Sequence, residues 1–380
     1  MKAVGIVISL LLTACASAPP MPAAGDLFHD ELFAPPSEPI DPADAMAVSP
    51  EMRQYLATKI PNVARHSDRK RLLIDALYNK DELRLEYDAA QTRTAAQAFN
   101  ARQGNCLALV MMTAALAKEL GLAVRYREVL GTDELERFGD IYLSVGHVNL
   151  SLDDRPSHNG IVGIALEDSL TVDFVPSRNA QVSRTRPIRE QTVIAMYLNN
   201  RAVEVLTRGD VAGAYWWVRQ SIQEDPEYTS AYLTLGVVYR KHRRPDLADP
   251  VLARVTEREP GNIRAITNRM LVLQDLGRVN DAASLQKQLE RMDPHPPYSY
   301  FREAMTAMRD RRFELARDLL AKESARAPHN HEFQFWLAVA NLELHDTDRA
   351  RAHLKLAIEF STTRKDRDLY AGKLAKLDGR

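Results

Sequence analysis

The sequence predicts two folded regions: an α+β domain of helices followed by an antiparallel sheet over residues 50–190, then an all-α solenoid of helical hairpins over residues 191–364. Three observations predict this. Pro226, Pro260, Pro294 and Pro328 recur every 34 residues, and Ala214, Ala248, Ala282, Ala316 and Ala350 keep the same period in one register. The stretch Leu107–Leu120 is apolar on nearly every helical face, the pattern of a fully buried helix, and stops at Gly121. Strand-like runs follow at Ala123–Leu130, Tyr142–Leu152, Ile161–Leu166 and Leu170–Val175, with Gly139, Asp153-Asp154 and Asn159-Gly160 as turns. A chain of 380 residues is long enough for two cores.

The first element, residues 1–14, is not part of the fold. Lys2 precedes an apolar run, Val4–Leu12, too short to span a bilayer, and the run ends in Leu12-Thr13-Ala14-Cys15. This ending resembles the lipobox of bacterial lipoproteins; an ordinary signal peptide is the alternative. The resemblance implies a lipidated Cys15 that holds the protein at a membrane. Ala16-Ser17 in place of Asp implies the outer membrane, facing the periplasm. Residues 15–49 are rich in Pro and Ala and predict an extended linker, in which Leu27, Phe28, Leu32 and Phe33 could dock on the body.

Ser49-Pro50 is a helix start, since Ser caps and Pro suits the first helical position. Asp68–Tyr78 predicts a second helix with Leu72, Leu73 and Leu77 on one face. Leu83–Tyr87 alternates like a strand, and Thr94–Phe99 is a short helix leading to Arg102-Gln103-Gly104-Asn105-Cys106.

Cys106 therefore opens the buried helix. A helix N-terminus favours a thiolate and leaves backbone N–H groups free to bind an oxyanion. If Cys15 carries lipid, Cys106 has no disulfide partner, which points to use or burial. A nucleophilic thiol needs a base and an orienter. His147 and Asp173 lie on strands that would pack against this helix, with His158 and Asp168 as competitors in turns.

The order Gln-Gly-Asn-Cys106, Gly-His147 and Val-Asp173 resembles the transglutaminase-like superfamily of papain-type Cys-His-Asp enzymes. That resemblance covers about residues 90–176. It implies Cys106 as nucleophile, His147 as base and Asp173 as orienter, with Gln103 and Asn100 as oxyanion candidates. The aromatics that the family often carries after the His and before the Asp are replaced here by Val148 and by Ser169-Leu170-Thr171.

The 34-residue period, with Ala in the second helix, Pro after it and a small residue in the first helix (Ala202, Gly236, Ala304, Ala338; Met270 excepted), resembles the tetratricopeptide repeat. Five repeats and a C-terminal capping helix over residues 365–380 follow from it. By that resemblance the first helices line a groove, where Tyr298, Phe301, Met305 and Phe335 would grip an apolar segment of a protein or peptide partner. His295, His329 and His331 read as exposed polar residues at repeat ends.

A net charge of −1 predicts no nucleic-acid binding. The absence of phosphate-cradling glycine loops and of zinc-type Cys/His spacing predicts no cofactor or metal. The expectation is an envelope-anchored cysteine hydrolase or acyltransferase acting on amide bonds of a substrate recruited by the repeats. The alternative is a non-catalytic scaffold with a retired transglutaminase-like domain.

Overall fold

The computed structural model describes residues 24–37, 39–60, 66–78, 83, 85–88, 91–138, 141–153, 170–174, 184–293, 295, 298–361 and 363–379. Cys15 and the apolar run before it therefore lie outside the described residues. So do His158, Asp168, the Asn159-Gly160 turn and the run Ile161–Leu166. No helix among the described residues is long and apolar enough to cross a membrane.

The N-terminal part begins with helices α1 (Pro50–Lys59) and α2 (His66–Tyr78). Ser49 Oγ accepts from the Met52 N–H and Pro50 takes the first helical position. On α2, Leu73 and Leu77 are buried but Leu72 is exposed, so the apolar face is narrower than the sequence suggested. The alternating run Leu83–Tyr87 reduces to a two-residue strand, β1 (Glu86–Tyr87), paired in parallel with β2 (Gln103–Gly104). Between them lies α3 (Ala95–Ala101), closed at its start by a capping box of Thr94 and Gln97.

Helix α4 (Cys106–Glu119) is buried from Cys106 through Ala117. It ends in a Schellman motif: Leu122 N–H bonds to Ala117 O, Gly121 N–H to Lys118 O, and Gly121 has φ +75°. The sheet that packs on it contains β3 (Ala123–Phe138), β4 (Ile141–Asp153), β5 (Leu170–Val172) and β6 (Thr185–Ile188), all antiparallel in the order β5-β4-β3-β6. Strand β3 runs eight residues further than its apolar pattern suggested, past an irregularity between Val129 and Glu134. The exposed strand β6 carries too little apolar pattern to be foreseen.

Five helical hairpins follow: α5 (Glu190–Thr207) with α6 (Val211–Glu224), α7 (Thr229–Lys241) with α8 (Pro245–Arg258), α9 (Ile263–Asp275) with α10 (Val279–Met292), α11 (Ser299–Arg309) with α12 (Phe313–Arg326), and α13 (His331–Glu343) with α14 (Thr347–Phe360). Helix α15 (Arg364–Leu377) closes the array. This is the tetratricopeptide-type solenoid. The five periodic alanines are all buried near the start of each second helix. A Cβ on Gly236 would stand 2.7 Å from Leu252 Cγ, so a methyl there would force the Leu252 side chain to shift.

The segment read as an extended linker is instead packed on the repeats from Ala24 onward. Phe33 stacks on Tyr215 at 4.0 Å, Tyr239 Oη donates to Leu27 O at 2.6 Å, and Trp216 Nε1 donates to Ala34 O at 2.7 Å. Leu27 and Phe33 are buried, as their apolar character suggested. One continuous core joins this segment, α4, the sheet and the first repeats, while a second core lies within α11–α13.

Candidate functional site

Cys106 occupies the first position of α4 because Asn105 caps that helix. Asn105 Oδ1 accepts from the Ala108 N–H at 2.9 Å, and Asn105 Nδ2 donates to Thr92 Oγ1 at 2.8 Å. Gly104 brings the β2 backbone hard against the helix: a Cβ there would lie 2.9 Å from Ala108 Cβ and 3.7 Å from Ala98 Cβ. The Gly-Asn pair before the Cys is therefore a packing and capping device that fixes where the thiol sits.

His147 is on β4 opposite Val129 of β3, and Asp173 follows directly on β5. The register Leu150↔Val172 between β4 and β5 brings the two side chains together, and His147 Nε2 lies 2.9 Å from Asp173 Oδ1. The other ring nitrogen, Nδ1, is buried without a conventional hydrogen bond. Burial works against a charged ring. The Asp173 carboxylate and the Cys106 thiol beside it outweigh that cost and push His147 up to about 9. Cys106 and His147 are thus within electrostatic reach of each other. Helix α4, β4 and β5 place three groups that are 41 and 26 residues apart in sequence on one spot.

Gln103 is half-buried in β2, and Asn100 is exposed on α3. Among the described residues neither forms a hydrogen bond with Cys106, His147 or Asp173. At the start of α4 the Ala108 N–H is taken by Asn105 Oδ1, which leaves the Cys106 and Leu107 N–H groups as the oxyanion donors that helix geometry supplies.

The groove residues are not one cluster. Tyr298 and Phe301 are buried in the second core, where both ring-pack on Phe333. Phe335 stacks on Tyr370 of α15 at 4.9 Å. Phe301 and Met305 line an open cleft of about 930 Å³ together with Met308, Trp336, Arg302 and Arg309. At the other end of the array α5 packs against α4 and β3, and α7 touches β4. Asn199 on α5 and Leu233 and Val237 on α7 are buried there. His331 is a further correction. It is half-buried, its Nδ1 lies 2.8 Å from Tyr370 Oη, and burial holds its pKa below the usual histidine value. His295 and His329 are exposed, as expected.

No family model matches the chain, and no curated protein matches it. Among solved structures it is similar to TTC0263, a thermophilic TPR protein of Thermus thermophilus, with 18% identity over 47% of this chain and 98% of that one, at a TM-score of 0.32. It is also similar to YrrB, described as a TPR protein with an unusual peptide-binding site, with 17% identity over 47% of this chain and 92% of that one, at a TM-score of 0.26. For yeast Tom70 the identity is 15%, the coverage 48% of this chain and 40% of that one, and the TM-score 0.35. Scores this low carry no argument of their own. The repeat fold rests on the 34-residue period and the five hairpins.

Proposed function

We propose that the chain is an envelope-anchored repeat scaffold for protein or peptide partners, carrying a thiol site of transglutaminase-like type in its N-terminal domain. The observation that supports the scaffold is the array of five hairpins. The cleft beside Met305, Met308 and Trp336, flanked by Arg302 and Arg309, suits a partner segment with apolar and acidic side chains. Anchoring through Cys15 follows from the lipobox resemblance alone.

A second reading, catalysis at Cys106, is favoured by the 2.9 Å contact of His147 with Asp173 beside the thiol. In that reading the Cys106 sulfur attacks an amide carbonyl as His147 holds the thiol proton. The oxyanion forms against the first N–H groups of α4. His147 then gives its proton to the departing amine, leaving a thioester on Cys106. Water or an amine, deprotonated by His147, adds to the thioester carbonyl and releases Cys106, which regains its proton from the ring. Water gives hydrolysis and an amine gives transfer.

Iodoacetamide labelling of Cys106 across pH tests whether the thiol is activated. An ordinary thiol, with a pKa near 8.5, slows about tenfold per pH unit below that value. The catalytic reading expects labelling to persist at pH 6 and to collapse in His147→Ala. A profile that follows an ordinary thiol in both proteins leaves the scaffold reading alone. Envelope partners crosslinked to wild type and to Cys106→Ala give the complementary test: equal recovery is the scaffold result, and enrichment in the variant marks a trapped substrate.

A further inference from the structure

The thiol site is tied to the first repeat by a chain of hydrogen bonds. Glu204 lies on α5, the first helix of the array. Its Oε1 accepts from the Thr92 N–H at 2.6 Å, across 112 residues of sequence. Thr92 Oγ1 accepts in turn from Asn105 Nδ2 at 2.8 Å, and Asn105 Oδ1 caps α4 through the Ala108 N–H. Cys106 is the next residue.

Glu204 is itself held from the repeat side. Arg201, one turn away on α5, pairs with its second oxygen, and the Arg201 guanidinium stands 5.4 Å over the Trp217 ring of α6. Thr92, Asn105 and Trp217 are all buried. The assignment of the Asn105 amide is forced: its oxygen must face the Ala108 N–H, so its nitrogen must face Thr92. Rotation of that amide would uncap the first turn of α4 and move the Cys106 sulfur relative to His147.

We propose that Glu204 and Thr92 are positioning residues for Cys106, acting through Asn105, so that the first repeat is a structural part of the thiol site. A repeat helix that shifts when a partner binds would then alter the thiol's geometry directly. The proposal rests on the reading that His147 activates Cys106, and a misplacement of about 1 Å at such a site can cost on the order of 100-fold in rate.

The test measures the rate and pH profile of iodoacetamide labelling of Cys106 in the intact chain. Wild type is compared with Glu204→Ala, Thr92→Val, Thr92→Ser and His147→Ala, with melting curves as the check on folding. Thr92→Val keeps the N–H that Glu204 binds but removes the oxygen that holds Asn105, whereas Thr92→Ser keeps both. The expected result is about tenfold slower labelling at pH 6–7 in Thr92→Val and Glu204→Ala, with a profile shifted toward an ordinary thiol, and near-wild-type behaviour in Thr92→Ser. If Glu204→Ala unfolds, the Thr92→Val and Thr92→Ser pair decides alone. Wild-type profiles in folded Thr92→Val and Glu204→Ala, with collapse in His147→Ala, would overturn the positioning role while leaving the thiol–imidazole reading in place. An unchanged profile in His147→Ala would overturn that reading and the link with it.

Discussion

His147 is the residue on which the thiol site turns, and its protonation has a definite consequence for stability. In the unfolded chain its imidazole titrates near 6.5, while in the folded protein it is pushed up to about 9. The folded state therefore holds the proton more tightly. That stabilisation is complete below about pH 6.5 and is lost as pH rises toward 9. Urea midpoints should fall between pH 6.5 and 9 more steeply in wild type than in His147→Ala; equal slopes would contradict the assignment. Gly104 offers a second prediction at this scale. Gly104→Ala pushes a methyl into Ala108 Cβ, so either β2 or the first turn of α4 must shift. The variant should lose about 1–3 kcal/mol of stability and any pH-insensitive labelling of Cys106. A variant that melts and labels like wild type would show that the contact is easily relaxed.

Each hairpin turn in the array is one shared motif. The first helix ends in a Schellman pair, as in Gly277 N–H to Gln274 O and Arg278 N–H to Leu273 O, and the second helix starts at once. The residue with positive φ is Gly209, Arg243, Gly277, Arg311 or His345, again spaced by 34. Three of the five carry a Cβ in a left-handed conformation that costs roughly 1 kcal/mol. Arg243→Gly, Arg311→Gly and His345→Gly should each stabilise their repeat by up to about 1 kcal/mol, because a glycine relieves strain there. Thermal melting checks this, and destabilisation would mean that the side chains make contacts worth more than the strain. Helix α15 is held partly by His331, whose pKa burial depresses. Because the unfolded imidazole takes up its proton first, docking of α15 is fully stable above about pH 6.5 and weakens as pH falls below it. Limited proteolysis within α15 should be faster at pH 5.5 than at 7.5, and His331→Gln should flatten the difference.

At the scale of the whole molecule, the two cores predict two unfolding units. The N-terminal segment, the α+β domain and the first repeats share one core; α11, α12 and α13 build another. Phe333→Ala, at a fully buried ring in the second, should cost about 3–5 kcal/mol and melt repeats four and five while α4 stays protected. Hydrogen exchange would show this as early loss of protection confined to the C-terminal repeats. Uniform loss along the chain would make the array a single cooperative unit. The docked segment from Asp26 to Ala34 also belongs to this scale. Arg219 pairs with Asp30 at 2.8 Å and stands over Phe28, so this segment is clamped to the second helix of the first repeat.

The sequence by itself determined whatever repeats or is local. Alanine and proline at a 34-residue period fix five hairpins, because only a small residue fits where two helices touch and only a break in hydrogen bonding ends the second one. The all-apolar run after Cys106 fixed a buried helix, and Ser49, Thr94 and Asn105 marked their own helix starts. That Cys106, His147 and Asp173 would meet was legible by order and type, from a thiol at a helix start followed by a strand His and an Asp at the end of a later strand. Tertiary structure decided the rest. Tyr298 looks like a groove residue in a repeat register, but its ring packs on Phe301 and Phe333 in the second core and its N–H donates to Glu323 of α12. Residues 24–37 look like a spacer, yet aromatic side chains of α6 and α7 give them a surface to bury against. Glu204 looks like any exposed helix acid until α5 docks beside Thr92. In each case the deciding partner lies far away in sequence, and burial is a property of that partner as much as of the residue itself.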